Sequence, residues 1–192
     1  MAGLTRGAVL LRGAGLLVLG ALTLAILRRG LAPPSGGVLG FVHGIDLVFH
    51  EAGHLIFGIF GRFIGALGGS LNQVLIPAIC TGAFLVQGQR AAAAVTLAWT
   101  GESLADVAVY VADGRDMKLP LLADGLTHDW NWILSQLGLR DQAEPIGRVV
   151  FVLATLVLVA SLALLALDLL RVIGTPSPGV VSSAATPDRK AR

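Results

Sequence analysis

From Val149 to Val172 the chain runs for 24 residues with only Asp168 and Arg171 charged. At about 1.5 Å per residue an α-helix of that length reaches about 36 Å, more than the ~30 Å hydrocarbon thickness of a bilayer. Apolar residues cover it all round, so it cannot rest half-exposed to water. Four more apolar runs precede it, at about residues 8–27, 38–60, 71–86 and 91–111. With 55% hydrophobic and 14% charged residues, the chain has too little polar surface for a water-soluble domain. Inside a bilayer every backbone polar group needs an internal partner, and runs this long satisfy that as helices. The expected fold is therefore all-α, a polytopic helix bundle of about five transmembrane helices over residues 1–173, with the lipid bilayer as its surroundings.

The breaks between runs set the rest of the expected layout. Arg28-Arg29 closes the first run; a cleavable signal peptide competes there, but Arg28-Arg29-Gly30 is a poor cleavage site and a retained helix is preferred. Pro33-Pro34-Ser35-Gly36-Gly37 forces a break, and Gly68-Gly69-Ser70 reads as the turn into the third run. Residues 112–147 read as one long polar loop and 174–192, rich in Pro, Ser and Ala, as a disordered tail. The net charge of +2 comes from scattered basic residues, which speaks against nucleic acid as a partner. Cys80 is the single cysteine, which excludes an intrachain disulfide and a cysteine-built metal site. Lys and Arg divide evenly between the two faces of a five-span arrangement, so charge assigns no orientation.

Against this background the polar residues are informative. Three of the four histidines, His43, His50 and His54, fall within twelve residues of the second run. Ionisable groups in an apolar span are costly and mark function by default. In His50-Glu51-Ala52-Gly53-His54 the two histidines are i and i+4, so a helix projects both imidazoles from one face toward a single cation. Glu51 beside them is placed to accept a proton from a metal-bound water, which makes it the candidate catalytic base, with Zn2+ as the expected cofactor. Asp46, one turn before His50, can orient that ring or face a neighbouring helix. Asn72 and Gln73 can hold a substrate backbone or bond between helices.

A catalytic zinc needs a third protein ligand. Glu102 and Asp106 share a face of the fourth run. If five spans alternate, His54 and His50 lie about 10 and 16 Å below one face and Asp106 and Glu102 about 9 and 15 Å below the same face. His128 lies in the loop over that face, with Asp129 placed to hold its ring and Trp130 to anchor the loop at the membrane interface. The candidates in order are Asp106, His128 and Glu102, and the expected site is a polar cavity open to one face.

The His50-Glu51-Ala52-Gly53-His54 motif inside an apolar run resembles the site-2 protease group of intramembrane zinc metalloproteases. The resemblance implies His50 and His54 as ligands, Glu51 as base and, more weakly, Asp106 as the aspartate of a later helix. That group carries its aspartate in Leu-Asp-Gly, whereas Asp-Gly here occurs only as Asp113-Gly114 and Asp124-Gly125. Glu102-Ser103-Leu104-Ala105-Asp106 is similar instead to the Glu-x-x-x-Asp signature of membrane-bound gluzincins, which implies Glu102 as ligand and Asp106 behind it. The stretch from His50 through Tyr110, Leu119-Pro120-Leu121 and His128-Asp129-Trp130 resembles a group of bacterial membrane proteins loosely classed with site-2 peptidases, which implies a bacterial inner-membrane location. The expected activity is zinc-dependent hydrolysis of a membrane protein or peptide substrate. The rival expectations are a non-enzymatic metal- or haem-binding membrane protein serving sensing, transport or assembly, and a scaffold with a degenerate site.

Overall fold

The computed structural model describes residues 2–120 and 127–174, and the tail expected from residue 174 lies outside them from residue 175 on. The described residues are helical throughout, without a strand. Helix α1 is Ala2–Arg29, α2 Gly37–Phe57, α3 Arg62–Val86, α4 Arg90–Ala112, α5 Asp129–Leu137 and α6 Ala143–Gly174. Three stretches, Arg6–Arg29, Arg62–Val86 and Arg140–Gly174, are long and apolar enough to cross a membrane. Helices α2 and α4 are not among them, because they carry the buried ionisable residues. The expected helix content is present, but five apolar spans are not.

Helix α4 is the axis of the bundle. Its small residues let neighbours close in: a Cβ added at Gly101 would sit 2.8 Å from Leu158 Cγ, and one at Gly147 of α6 would sit 2.7 Å from the Ala108 carbonyl oxygen. Among lipid chains, where apolar surface gains little by leaving the solvent, such close packing is the main attraction between helices. Two buried clusters tie α1 to this pair. Leu19 packs with Ala94, Ala98 and Leu165, and one end further on Ile26 packs with Ala105, Ala154 and Leu158. Arg12 donates to Asp168 at 2.7 Å, joining the start of α1 to the end of α6. Helix α1 is thus parallel to α4 and antiparallel to α6.

The path of α2 departs from the expected alternation. Thr81 bonds Thr96 and Gln73 reaches the Ser103 carbonyl, so α3 runs antiparallel to α4 and begins at the end where α4 finishes. Arg29, the end of α1, bonds Asp106 at that same end. Helix α2 leaves from there, with His43 on Asp106, and its last turn returns to the start of α3, with His54 on Gly65. Among the described residues, α2 therefore has both its ends toward the end of the bundle where α1 and α4 finish. Its apolar residues Phe41, Val48 and Leu55 remain exposed, as does Ile59 in the turn that follows.

The turn expected at Gly68-Gly69-Ser70 lies inside α3. The chain reverses earlier, at Gly61, whose φ of 102° is open to glycine and strained for other residues. The glycines serve packing instead. A Cβ at Gly53 would collide with the Gly68 carbonyl oxygen, and one at Gly68 would sit 2.5 Å from Phe57 Cβ. Between residues 112 and 147, read as a long loop, the chain forms α5, capped by His128 at its start and ended by left-handed Gly138.

Candidate metal centre

His50 and His54 project from one face of α2, their ring centroids 4.8 Å apart. The second nitrogen of each ring is fixed by an acceptor. His50 Nδ1 lies 2.7 Å from Gln73 Oε1, and His54 Nδ1 lies 2.8 Å from the Gly65 carbonyl oxygen. An acceptor at Nδ1 requires the hydrogen there, so in its neutral form each ring has Nε2 as the nitrogen that can ligate. This is the way metal-bound histidines are usually held.

Both Nε2 atoms face Asp129. Its Oδ2 lies 3.2 Å from His50 Nε2 and 3.3 Å from His54 Nε2. Burial would push the Asp129 carboxyl up, but hydrogen bonding and charge from the two imidazoles outweigh it and hold the group down at about 2. Either a proton on the Nε2 atoms or a metal cation among the three atoms makes this arrangement favourable. Ligand bonds of about 2.0–2.1 Å in a tetrahedron give edges of about 3.3 Å, which matches the separations of Oδ2 from the two nitrogens. The donor set, two imidazole nitrogens and a carboxylate oxygen, is one that zinc accepts.

Helix α5 delivers Asp129. His128, at its N-cap, accepts from the Asn131 N–H through Nδ1, which leaves Nε2 to donate to Asp113 Oδ2 at 3.2 Å. The Tyr110 ring packs 4.3 Å from the His128 ring. The Tyr110 hydroxyl accepts from the Asp129 N–H at 3.2 Å and donates to Asp129 Oδ2 at 3.3 Å. Trp130 Nε1 donates to Ser70 at 2.9 Å and pins α5 to α3. Trp132 packs against Phe63 and lies under the Arg62 guanidinium.

The sequence-predicted residues fall into three places. His50, His54 and Glu51 are together, with ligand atoms within 4.8 Å of one another and Glu51 exposed toward the cavity. His128 is one residue away from the centre in sequence, but both its nitrogens are spent on Asn131 and Asp113. Asp106 and Glu102 lie elsewhere: Asp106 Oδ1 accepts from Arg29 and Oδ2 from His43 Nδ1, at 2.7 and 2.8 Å. The depth match assumed that α2 crosses antiparallel to α4, and the return of both α2 ends to one end of the bundle brings Asp106 beside His43 instead. Asn72 donates to the Phe49 carbonyl and Gln73 holds His50, so both amides bond between helices. From the sequence Asp129 has only a supporting place behind His128, whereas the structure sets its carboxylate against both imidazoles of α2. Its one sequence signal is an acidic residue flanked by His128 and Trp130.

A cavity of about 740 Å³ contains the centre, lined among others by His43, Glu51, His54, Asp106 and Asp129. Pro33, Pro34, Leu119 and Pro120 also line it, which places its mouth at the end where α1 and α4 finish. No protein-family model, no curated protein and no solved structure matches the chain.

Proposed function

We propose that the chain is a membrane-embedded zinc metallopeptidase, with His50, His54 and Asp129 as zinc ligands and Glu51 as general base. The observation that carries the reading is the pair of Nδ1-anchored imidazoles aiming their Nε2 atoms at one carboxylate, beside a second carboxylate that has no such task. Zinc bound there would supply Lewis acidity toward a peptide carbonyl and its attacking water. Glu51, open to the cavity, accepts the proton of that water and returns it to the departing amide nitrogen. Gln73 and the Gly65 carbonyl keep both rings in the ligating tautomer. Tyr110 and His128 hold α5 so that Asp129 stays at the centre. The substrate in this reading is a peptide segment of a membrane protein, entering the cavity from the Pro33–Pro34 rim, and the location we propose, a bacterial inner membrane, rests on the motif resemblance alone.

The test uses detergent-purified protein, with zinc content and hydrolysis of a quenched membrane-peptide library measured side by side. Wild type should carry one zinc per chain and cleave. Glu51→Gln should keep the metal and lose cleavage, and continued turnover in that variant would end the catalytic assignment. Asp129→Asn should bind zinc more than about 100-fold more weakly, whereas Asp106→Asn should retain it. Zinc-loaded wild type that cleaves nothing would favour a metal-binding protein without enzymatic activity.

A further inference from the structure

One turn along α2 from His50, and on a different set of partners, lies a second cluster. Carboxylate oxygens of Asp46, Glu102 and Asp106 come within 4.8 Å of one another, and all three residues are buried. Two of the three are supplied with hydrogen bonds. Asp46 accepts from Trp99 Nε1 at 2.7 Å and from the Ser103 hydroxyl at 2.9 Å. Asp106 accepts from Arg29 and His43. Glu102 is only 5% exposed, and neither of its oxygens receives a hydrogen bond from any described residue.

A buried carboxylate without a donor is costly, so a cation or a proton is called for there. The donor set states what kind of cation would fit. Three carboxyl groups face one guanidinium, and the ligand atoms they offer are all oxygens. We propose that Asp46, Glu102 and Asp106 form a second, all-oxygen site for a hard divalent cation, with Ca2+ as the type ion. Carboxylate oxygens are the ligands such a cation takes, at about 2.3–2.6 Å for calcium. The absence of nitrogen and sulfur among the free ligand atoms separates this site from the zinc centre. Its mechanical consequence is a clip: the ion would join the first half of α2 to α4 and hold α2 in the course that presents His50 and His54.

Trp99 supplies the probe, because its indole N–H bonds a ligand carboxylate and the ring can sensitise terbium luminescence. Full-length protein in detergent is titrated with Tb3+ and then with Ca2+. Wild type should show saturable emission that Ca2+ displaces. Glu102→Gln should weaken Tb3+ and Ca2+ binding by about tenfold or more, and His54→Ala should leave both unchanged. Circular dichroism checks each variant's helicity; if Glu102→Gln does not fold, Glu102→Asp, which keeps the charge and shortens the reach, should show the same weakening. Three outcomes overturn the proposal: no saturable binding by folded wild type, binding indifferent to Glu102, or binding lost with His54. A protonated-carboxyl infrared band that disappears in Glu102→Gln but persists at saturating Ca2+ would also overturn it, by showing that protons fill the role.

Discussion

Which atoms of His50 and His54 would meet zinc is decided by what their far nitrogens do. Gln73 Oε1 and the Gly65 carbonyl each fix a hydrogen on Nδ1, which leaves Nε2 as the nitrogen that would ligate. Gln73 therefore works at a distance from the ion, as a positioning residue. Gln73→Met, similar in volume but without the acceptor, should lower zinc affinity by about 10–100-fold. Competition with a chromogenic chelator measures this, and the tautomer shift should show in the 15N spectrum of His50. An unchanged affinity would mean that α2 packing, and not this hydrogen bond, orients the ring. The same residue-scale logic explains why His128 was a reasonable candidate from sequence and is not one in the structure. Its two nitrogens cap α5 and bind Asp113, and the neighbouring carboxylate takes its place at the centre.

At the scale of elements, the α2–α3 pair decides whether the centre can form. Glycines let the two helices approach until the imidazoles of α2 rest on the backbone of α3. A Cβ at Gly69 would lie 2.5 Å from His50 Nε2 and 2.7 Å from His54 Nε2. Gly69→Ala should thus displace both ligand atoms and abolish stoichiometric zinc binding, while helicity by circular dichroism stays at the wild-type level. Normal zinc content in that variant would show that the rings have room to retreat. In sequence, Gly68-Gly69-Ser70 read as a turn because adjacent glycines break helices in water. The structure uses them inside α3, since a membrane-protein helix keeps its backbone bonded and gains close contact where side chains are small.

For the whole molecule, the distinguishing feature is that α2 starts and finishes toward the same face. Five alternating spans would put Ser35 and Gln87 on one side of a membrane and Asp116 on the other. The observed contacts put Ser35 with Asp116 and Gln87 opposite. Single-cysteine variants at these three positions, in a Cys80→Ser background, should divide that way when labelled in sealed vesicles with an impermeant maleimide. Labelling of Ser35→Cys together with Gln87→Cys would restore the five-span arrangement. The sequence determined, by itself, the helical class, the approximate extent of α1, α2, α4 and α6, the pairing of His50 with His54 and the place of Glu51, but not α5 or the start of α3. These depend on residue-by-residue hydropathy and on the 3.6-residue period, both local properties. Only the tertiary structure decided that Asp129 and not Asp106 meets the histidines, and that Asp46, Glu102 and Asp106 gather into a cluster of their own. Those outcomes depend on the angle at which α2 crosses α4, and that angle is set by glycine contacts distributed over α2 and α3, which no spacing along a single helix encodes.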